Sequence, residues 1–198
     1  LAGLRAVETL RSDGFGGQIS LVGDELHQPY DRPPLSKQLL AGSWDPERAN
    51  LITPDRVDGL DVQLRLSQRA TGLDVSSRSI EIDGVPEPFD GLLIATGASP
   101  AGLPIPGTDL EGVQALWSLE HTARLLEATE GIEKPRVTMV GAGFIGFIML
   151  NAMYKRGWDL TVVERESQVL PRMLDADAAS IVQDWLGTKK IAVHAGAG

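Results

Sequence analysis

A chain of 198 residues, 42% hydrophobic, 23% charged and 5% aromatic, has the balance of a globular protein long enough to bury a real core. Its formal net charge of −9 disfavours indiscriminate binding to nucleic acid or anionic membrane, both of which would repel it on approach. There is no cysteine, which removes disulfides, thiolate metal sites and any redox dithiol within these residues, and His27, His121 and His194 lack a paired ligand spacing, so no metal site is expected.

Taken in chain order, Leu1, Leu4, Ala6, Val7 and Leu10 recur at helical spacing, Gly14, Gly16 and Gly17 break the pattern, and "QISLVGD" follows as a strand. A polar, proline-rich stretch begins after Asp24. Pro29, Pro33 and Pro34 forbid a regular ladder there, and Ser36 is expected to cap a short helix through Leu40, within a functional loop or linker. From Val62 onward the pattern turns to strands: "DVQLRL", "RATGLDV" and "SIEI", an Asp83-Gly84 turn, then "GLLIATG", whose continuous apolar run predicts a strand buried on both faces. Pro100, Pro104 and Pro106 with Gly102 and Gly107 then mark a crossover. A second α/β unit follows, with helices expected at about 119–129, 144–156 and 176–186, and strands at "RVTMV", "LTVVE" and "IAVHAG". No apolar run is long enough to span a bilayer and no leader pattern precedes the first helix, so a cytoplasmic location is expected.

Gly141, Gly143 and Gly146 form G-x-G-x-x-G directly after an apolar strand and at the mouth of a helix that opens with Phe144 and Ile145. In that context the first glycine permits a tight turn, the second lets a pyrophosphate approach the backbone, and the third allows close packing of helix on strand. The helix N-terminus then offers free amides to the phosphates. Glu164 ends the next strand 23 positions after Gly141, where an acid hydrogen-bonds the adenosine ribose, which favours NADH over NADPH; the neighbouring Arg165 weakens that preference. At the start of the chain, "LAG", a helix, a glycine-rich turn and "ISLVGD" have the form of a second fingerprint that retains only its third glycine, Gly3. Asp24, 21 positions on, stands in the same ribose position.

The segments "LAGLRAVETLR", "ISLVGD", "PYDRPPLSK", "FDGLLIATG", "VGAGFIG" and "VLPR", in that order, resemble the FAD-dependent pyridine nucleotide–disulfide oxidoreductase superfamily. Within it the chain is similar to the NADH-dependent reductases of ferredoxin and rubredoxin that feed oxygenases. The resemblance implies an α/β fold with two Rossmann-like domains for FAD and NAD(P)H, of the three-layer ββα type: an FAD-binding domain over 1–112, lacking its first strand, and an NAD(P)H-binding domain over 113–198. Both would be incomplete, the chain being a fragment truncated at both ends. It implies that Ala2 and Gly3 touch the FAD pyrophosphate, that Asp24 holds the adenosine ribose, and that Ala70 lies by the adenine. Ala95, Thr96 and Gly97 would line the FAD. Arg32 and Lys37 would approach the flavin, with Lys37 as the catalytic cation that favours the reduced, anionic ring. Gly141, Gly143, Phe144, Ile145, Gly146 and Glu164 would serve the nicotinamide nucleotide, and Arg172 of "VLPR" would be a further cofactor-binding residue.

Disulfide reductases of this superfamily carry two cysteines in the segment matching "PPLSK", and this chain has none. The resemblance therefore implies electron delivery to an external iron–sulfur protein such as ferredoxin or rubredoxin. Two departures accompany it: Ile148 stands where relatives commonly have a glutamate, and Trp117 where they often have an arginine that contacts FAD. Ile148 favours an alternative, a nucleotide-dependent binding or signalling flavoprotein of the apoptosis-inducing-factor type, and a third reading is an inactive fragment.

Overall fold

The computed structural model describes residues 1–197. Contacts divide the chain into two compact units, one of Leu1–Asp31 with Ala49–Ser99, the other of Arg32–Arg48 with Pro100–Gly198.

The first unit opens with α1 (Ala2–Ser12), which buries Leu4 and Val7, one helical turn apart, and ends with Arg11 in its last turn. The Arg11 guanidinium reaches the carbonyls of Gly17 and Leu60, each at 2.8 Å, joining the helix to the turns on either side. Strand β1 (Ile19–Val22) pairs in parallel with β2 (Val62–Arg65), Ile19 opposite Val62, and a short helix α2 (Pro54–Gly59) leads into β2. An antiparallel meander follows, of β3 (Ala70–Asp74), β4 (Ser79–Ile82) and β5 (Val85–Pro88). Strand β5 has no counterpart in the sequence expectation because Pro86 and Pro88 mask it. They are tolerated because β5 is an edge strand, joined to β4 by Asp83 and Gly84 at φ 50° and 82°, a two-residue hairpin turn. Arg65 grips Glu87 bidentately at 2.6 and 2.7 Å, which fastens β2 to the meander.

The run "GLLIATG" is not a strand. Gly91–Gly97 makes no ladder, and Leu93 and Ile94 are 63% and 65% exposed. The apolar pattern was right for a strand buried on both faces, yet such a strand needs neighbours to take its amides and carbonyls, and no strand of the described residues pairs with it.

In the second unit, "PPLSKQLL" is neither linker nor helix with Ser36 at its cap. Pro33–Ser36 form a 3₁₀ turn with the two prolines in its first positions, where missing amides cost nothing, and Ser36 closes it with its hydroxyl on the Pro33 carbonyl. Leu35, Leu39 and Leu40 are buried. Helix α3 (Leu119–Ala128) begins at Ser118 with a capping box in which His121 takes the reciprocal role. The parallel sheet β6 (Arg136–Val140), β7 (Asp159–Glu164), β8 (Ala192–Ala195) alternates with α4 (Phe144–Lys155) and α5 (Ala176–Thr188), the latter capped by Asp175. The strand order β6-β7-β8 is that of one Rossmann half. Its core gathers Leu150, Met153, Trp158, Leu160, Val162, Val169 and Leu186, with Leu40 packed among them. Among the described residues no helix is long and apolar enough to cross a membrane.

Candidate functional site

The fingerprint of the second unit is wired to the strand beside it. Gly141, at φ 100°, donates its amide to the Val163 carbonyl at 2.8 Å, and the next amide, that of Ala142, donates to the Glu164 carboxylate at 2.6 Å. Gly146 is required by space: a Cβ there would stand 2.6 Å from the Gly141 carbonyl oxygen and 3.1 Å from the Met139 sulfur. A Cβ on Gly143 would meet nothing within 4 Å, so the turn is open where a phosphate would approach. Gly143, the N-cap of α4, has no side chain with which to cap the helix and no acid lies in the first turn, which leaves the leading amides for an anion. Phe144 and Ile145 are exposed at this mouth, while Ile148 lies half-buried one turn further in. These residues fit the diphosphate of a dinucleotide.

Glu164 is 8% exposed and accepts from the Glu166 amide at 2.9 Å as well as from Ala142. Burial pushes its carboxyl up, but the amides of Glu166, Ala142 and Arg165 outweigh that and hold it below the ordinary carboxylate range. It therefore stays ionised and straps the fingerprint turn to the end of β7. With about four acceptor sites and three amide donors, the carboxylate keeps room for one further donor such as a ribose hydroxyl. Arg165, 81% exposed at its side chain, pairs with Glu166 at 2.8 Å. The "VLPR" segment also closes on the turn, through the Leu170 amide on the Ala142 carbonyl at 2.9 Å, and Arg172 is exposed just beyond it. Ala142 is the residue that the motif reading passed over; its signal was a small side chain between two fingerprint glycines.

In the first unit, Gly3 packs against β1 so closely that a Cβ would come within 2.7 Å of Leu21 Cδ1, the close helix–strand approach expected of a third fingerprint glycine. Helix α1, like α4, starts without a side-chain cap or an early acid, and Ala2 is exposed in its first turn. Ala95 lies beside Gly3, 4.0 Å from that Cβ position. Asp24 is exposed just past β1 and pairs with Arg69 at 3.2 Å, immediately before Ala70. Gly3, Asp24, Ala70 and Ala95 thus fall in one unit and suit the adenosine diphosphate half of a dinucleotide. Thr96 and Gly97 are exposed on the unladdered segment. Arg32 and Lys37 belong to the second unit. Arg32 donates to the Trp117 carbonyl at 2.7 Å and lies 5.6 Å from the centre of its ring, and Lys37 is exposed at the end of the 3₁₀ turn.

Known proteins sharing this arrangement are numerous. The family model for pyridine nucleotide-disulphide oxidoreductases matches residues 1–198. The chain belongs to that family. Membership implies use of a flavin and a pyridine nucleotide. Among curated members, rhodocoxin reductase of Rhodococcus erythropolis is 36% identical over 88% of this chain and 41% of its own length. The ferredoxin–NAD(+) reductase component of the biphenyl dioxygenase system of Paraburkholderia xenovorans is 35% identical over 88% and 42%. Among solved structures, the ferredoxin reductase for the CYP199A2 system of Rhodopseudomonas palustris superposes with a TM-score of 0.88 at 30% identity, covering 98% of this chain and 48% of that one. The chain therefore spans less than half the length of these members of the family.

Proposed function

We propose that this chain is the nucleotide-handling part of an FAD-dependent, NADH-oxidising reductase that delivers electrons to a small iron–sulfur protein of the ferredoxin or rubredoxin type. The observation that carries the reading is the strapped fingerprint of the second unit, in which Gly141, Ala142 and Glu164 hold one turn open beside the N-terminus of α4. Relatives named as ferredoxin– and rubredoxin–NAD(+) reductases support the choice of acceptor.

Within that reading, the amides that open α4 bind the NADH diphosphate, and Glu164 orients the adenosine ribose while repelling a 2′-phosphate. Gly3, Asp24 and Ala70 hold the adenosine side of FAD. A bound flavin supplies the conversion of a hydride into single electrons. Lys37 keeps the part that the resemblance gives it, a cation favouring the reduced ring. With no cysteine available, the chain has no dithiol of its own to reduce, so its electrons go to an external acceptor. A cytoplasmic location suits such a soluble partner.

The test is reconstitution. Protein purified with FAD is expected to be yellow, to bleach on addition of NADH, and to reduce a ferredoxin or rubredoxin in steady state. A colourless protein that leaves NADH unoxidised contradicts the proposal. Bleaching without transfer to any iron–sulfur protein favours instead a nucleotide-dependent binding role, the reading to which Ile148 points.

A further inference from the structure

Asp24 and Arg69 emerge from two loops of the first unit that are held to each other by their backbones. The Gly23 amide donates to the Arg65 carbonyl, the Gln68 amide to the Gly23 carbonyl, and the Ser67 amide to the Glu25 carbonyl, each at 3.0 Å. Arg69 itself is fixed from the other side: its amide donates to Asp83 Oδ1 and its carbonyl accepts the Asp83 amide, both at 2.9 Å. From this fixed root its guanidinium meets Asp24 Oδ2 at 3.2 Å, with both side chains largely in solvent, 73% and 58% exposed. An ion pair so exposed contributes little to folding, because solvent screens it and both side chains lose freedom. The roots of both side chains are nonetheless fixed, since three backbone hydrogen bonds join the two loops and two more, one of them to the Asp83 side chain, hold Arg69 to Asp83.

A carboxylate that is to grip a ribose diol beside a diphosphate faces two difficulties. It must point one oxygen at the hydroxyls, and its charge must not repel the phosphates. Arg69 answers both, by engaging Oδ2 so that Oδ1 is left for the diol, and by offsetting the Asp24 charge in a chain of net charge −9. Ala70, next in sequence, adds no bulk between the pair and a bound base.

We propose that Arg69 is a positioning residue of the FAD adenosine subsite, acting through Asp24. The inference rests on the FAD reading above, and the measurement separates the two. FAD is titrated into the protein while quenching of flavin fluorescence is followed, for the wild type and for Arg69→Gln, Arg69→Lys, Asp24→Asn and the double variant Asp24→Asn with Arg69→Gln. Arg69→Gln is expected to raise the FAD dissociation constant about three- to tenfold, and Arg69→Lys, which keeps charge and donor, to stay within about twofold of wild type. In the Asp24→Asn background, Arg69→Gln is expected to add nothing, and the thermal midpoint of the flavin-free protein to remain that of the wild type. Full-strength FAD binding by Arg69→Gln, or effects of the two single substitutions that multiply, overturns the role of Arg69 and leaves the FAD reading standing. Failure of the wild type to bind FAD overturns both.

Discussion

In the second unit, Gly141 and Ala142 donate their amides to the Val163 carbonyl and the Glu164 carboxylate at the end of a three-stranded parallel sheet, and the unit's core includes Met153, Val162 and Leu186. In the first unit, Gly3 and Asp24 attend a parallel sheet of two strands, and the apolar segment 91–97 of the same unit forms no ladder with the described strands and exposes Leu93 and Ile94. The two regions share a pattern of helix, glycine and terminal acid. They differ in how firmly the acid is built in: Glu164 is buried against backbone amides, whereas Asp24 faces solvent and an arginine. One glycine pattern can thus specify a finished turn in one place and only the close approach of a helix in another.

Substitution of the two packed glycines, Gly146 and Gly3, is expected to separate the two units most clearly. Gly146→Ala drives a Cβ into the Gly141 carbonyl, a backbone atom that cannot swing aside, so the second unit is expected to lose about 2–3 kcal/mol. All four tryptophans, Trp44, Trp117, Trp158 and Trp185, belong to that unit, so denaturant unfolding followed by tryptophan fluorescence reads it alone. An unchanged midpoint would mean that the turn is looser than its contacts indicate.

Removing the strap comes next. Glu164→Gln takes the charge from a buried acceptor of two amides and is expected to cost about 1–2 kcal/mol at neutral pH. The sign of its pH dependence follows from a folded value held below the ordinary 4.5. The ionised carboxylate stabilises the fold fully above 4.5, and that contribution is lost as pH falls through the depressed folded value. Glu164→Gln should therefore close its gap to wild type as the medium is acidified. A gap that persists in acid would assign the effect to packing rather than charge.

Gly3→Ala is the first unit's counterpart of Gly146→Ala. Its clash is with the tip of the Leu21 side chain, which can rotate, and alanine favours the helix, so the loss is expected to stay within about 1 kcal/mol by circular dichroism. A loss as large as that of Gly146→Ala would erase the distinction between the two regions. Smallest of all, Leu93→Ser or Ile94→Thr should change stability by no more than about 0.5 kcal/mol while lowering light scattering, since these side chains are exposed rather than packed. A cost of several times that would show the segment to be packed.

What could be read from the sequence divides along the same line. The span from Gly141 to Glu164 was legible because strand, turn, helix, strand and acid follow one another locally, and the helices expected at about 119–129 and 176–186 form as Leu119–Ala128 and Ala176–Thr188, where the structure adds caps at Ser118 and Asp175 that the periodicity did not show. The segment 91–97 was misread because its hydrophobicity is local while its ladder depends on a neighbour. Strand β5 was hidden by prolines that only an edge position excuses. The Arg69–Asp24 pair was invisible for a related reason: its members stand 45 residues apart and meet only once β1, β2 and the meander are in place.

The proposed NADH site of the second unit is tested most directly by titrating the wild-type protein with NADH and with NADPH while following the quenching of tryptophan fluorescence. Saturable binding of NADH is expected, with affinity for NADPH at least about tenfold lower if Glu164 takes the proposed ribose role and repels the added phosphate, and with loss of both in Gly146→Ala. Absence of saturable NADH binding, or binding that Gly146→Ala leaves intact, would contradict it.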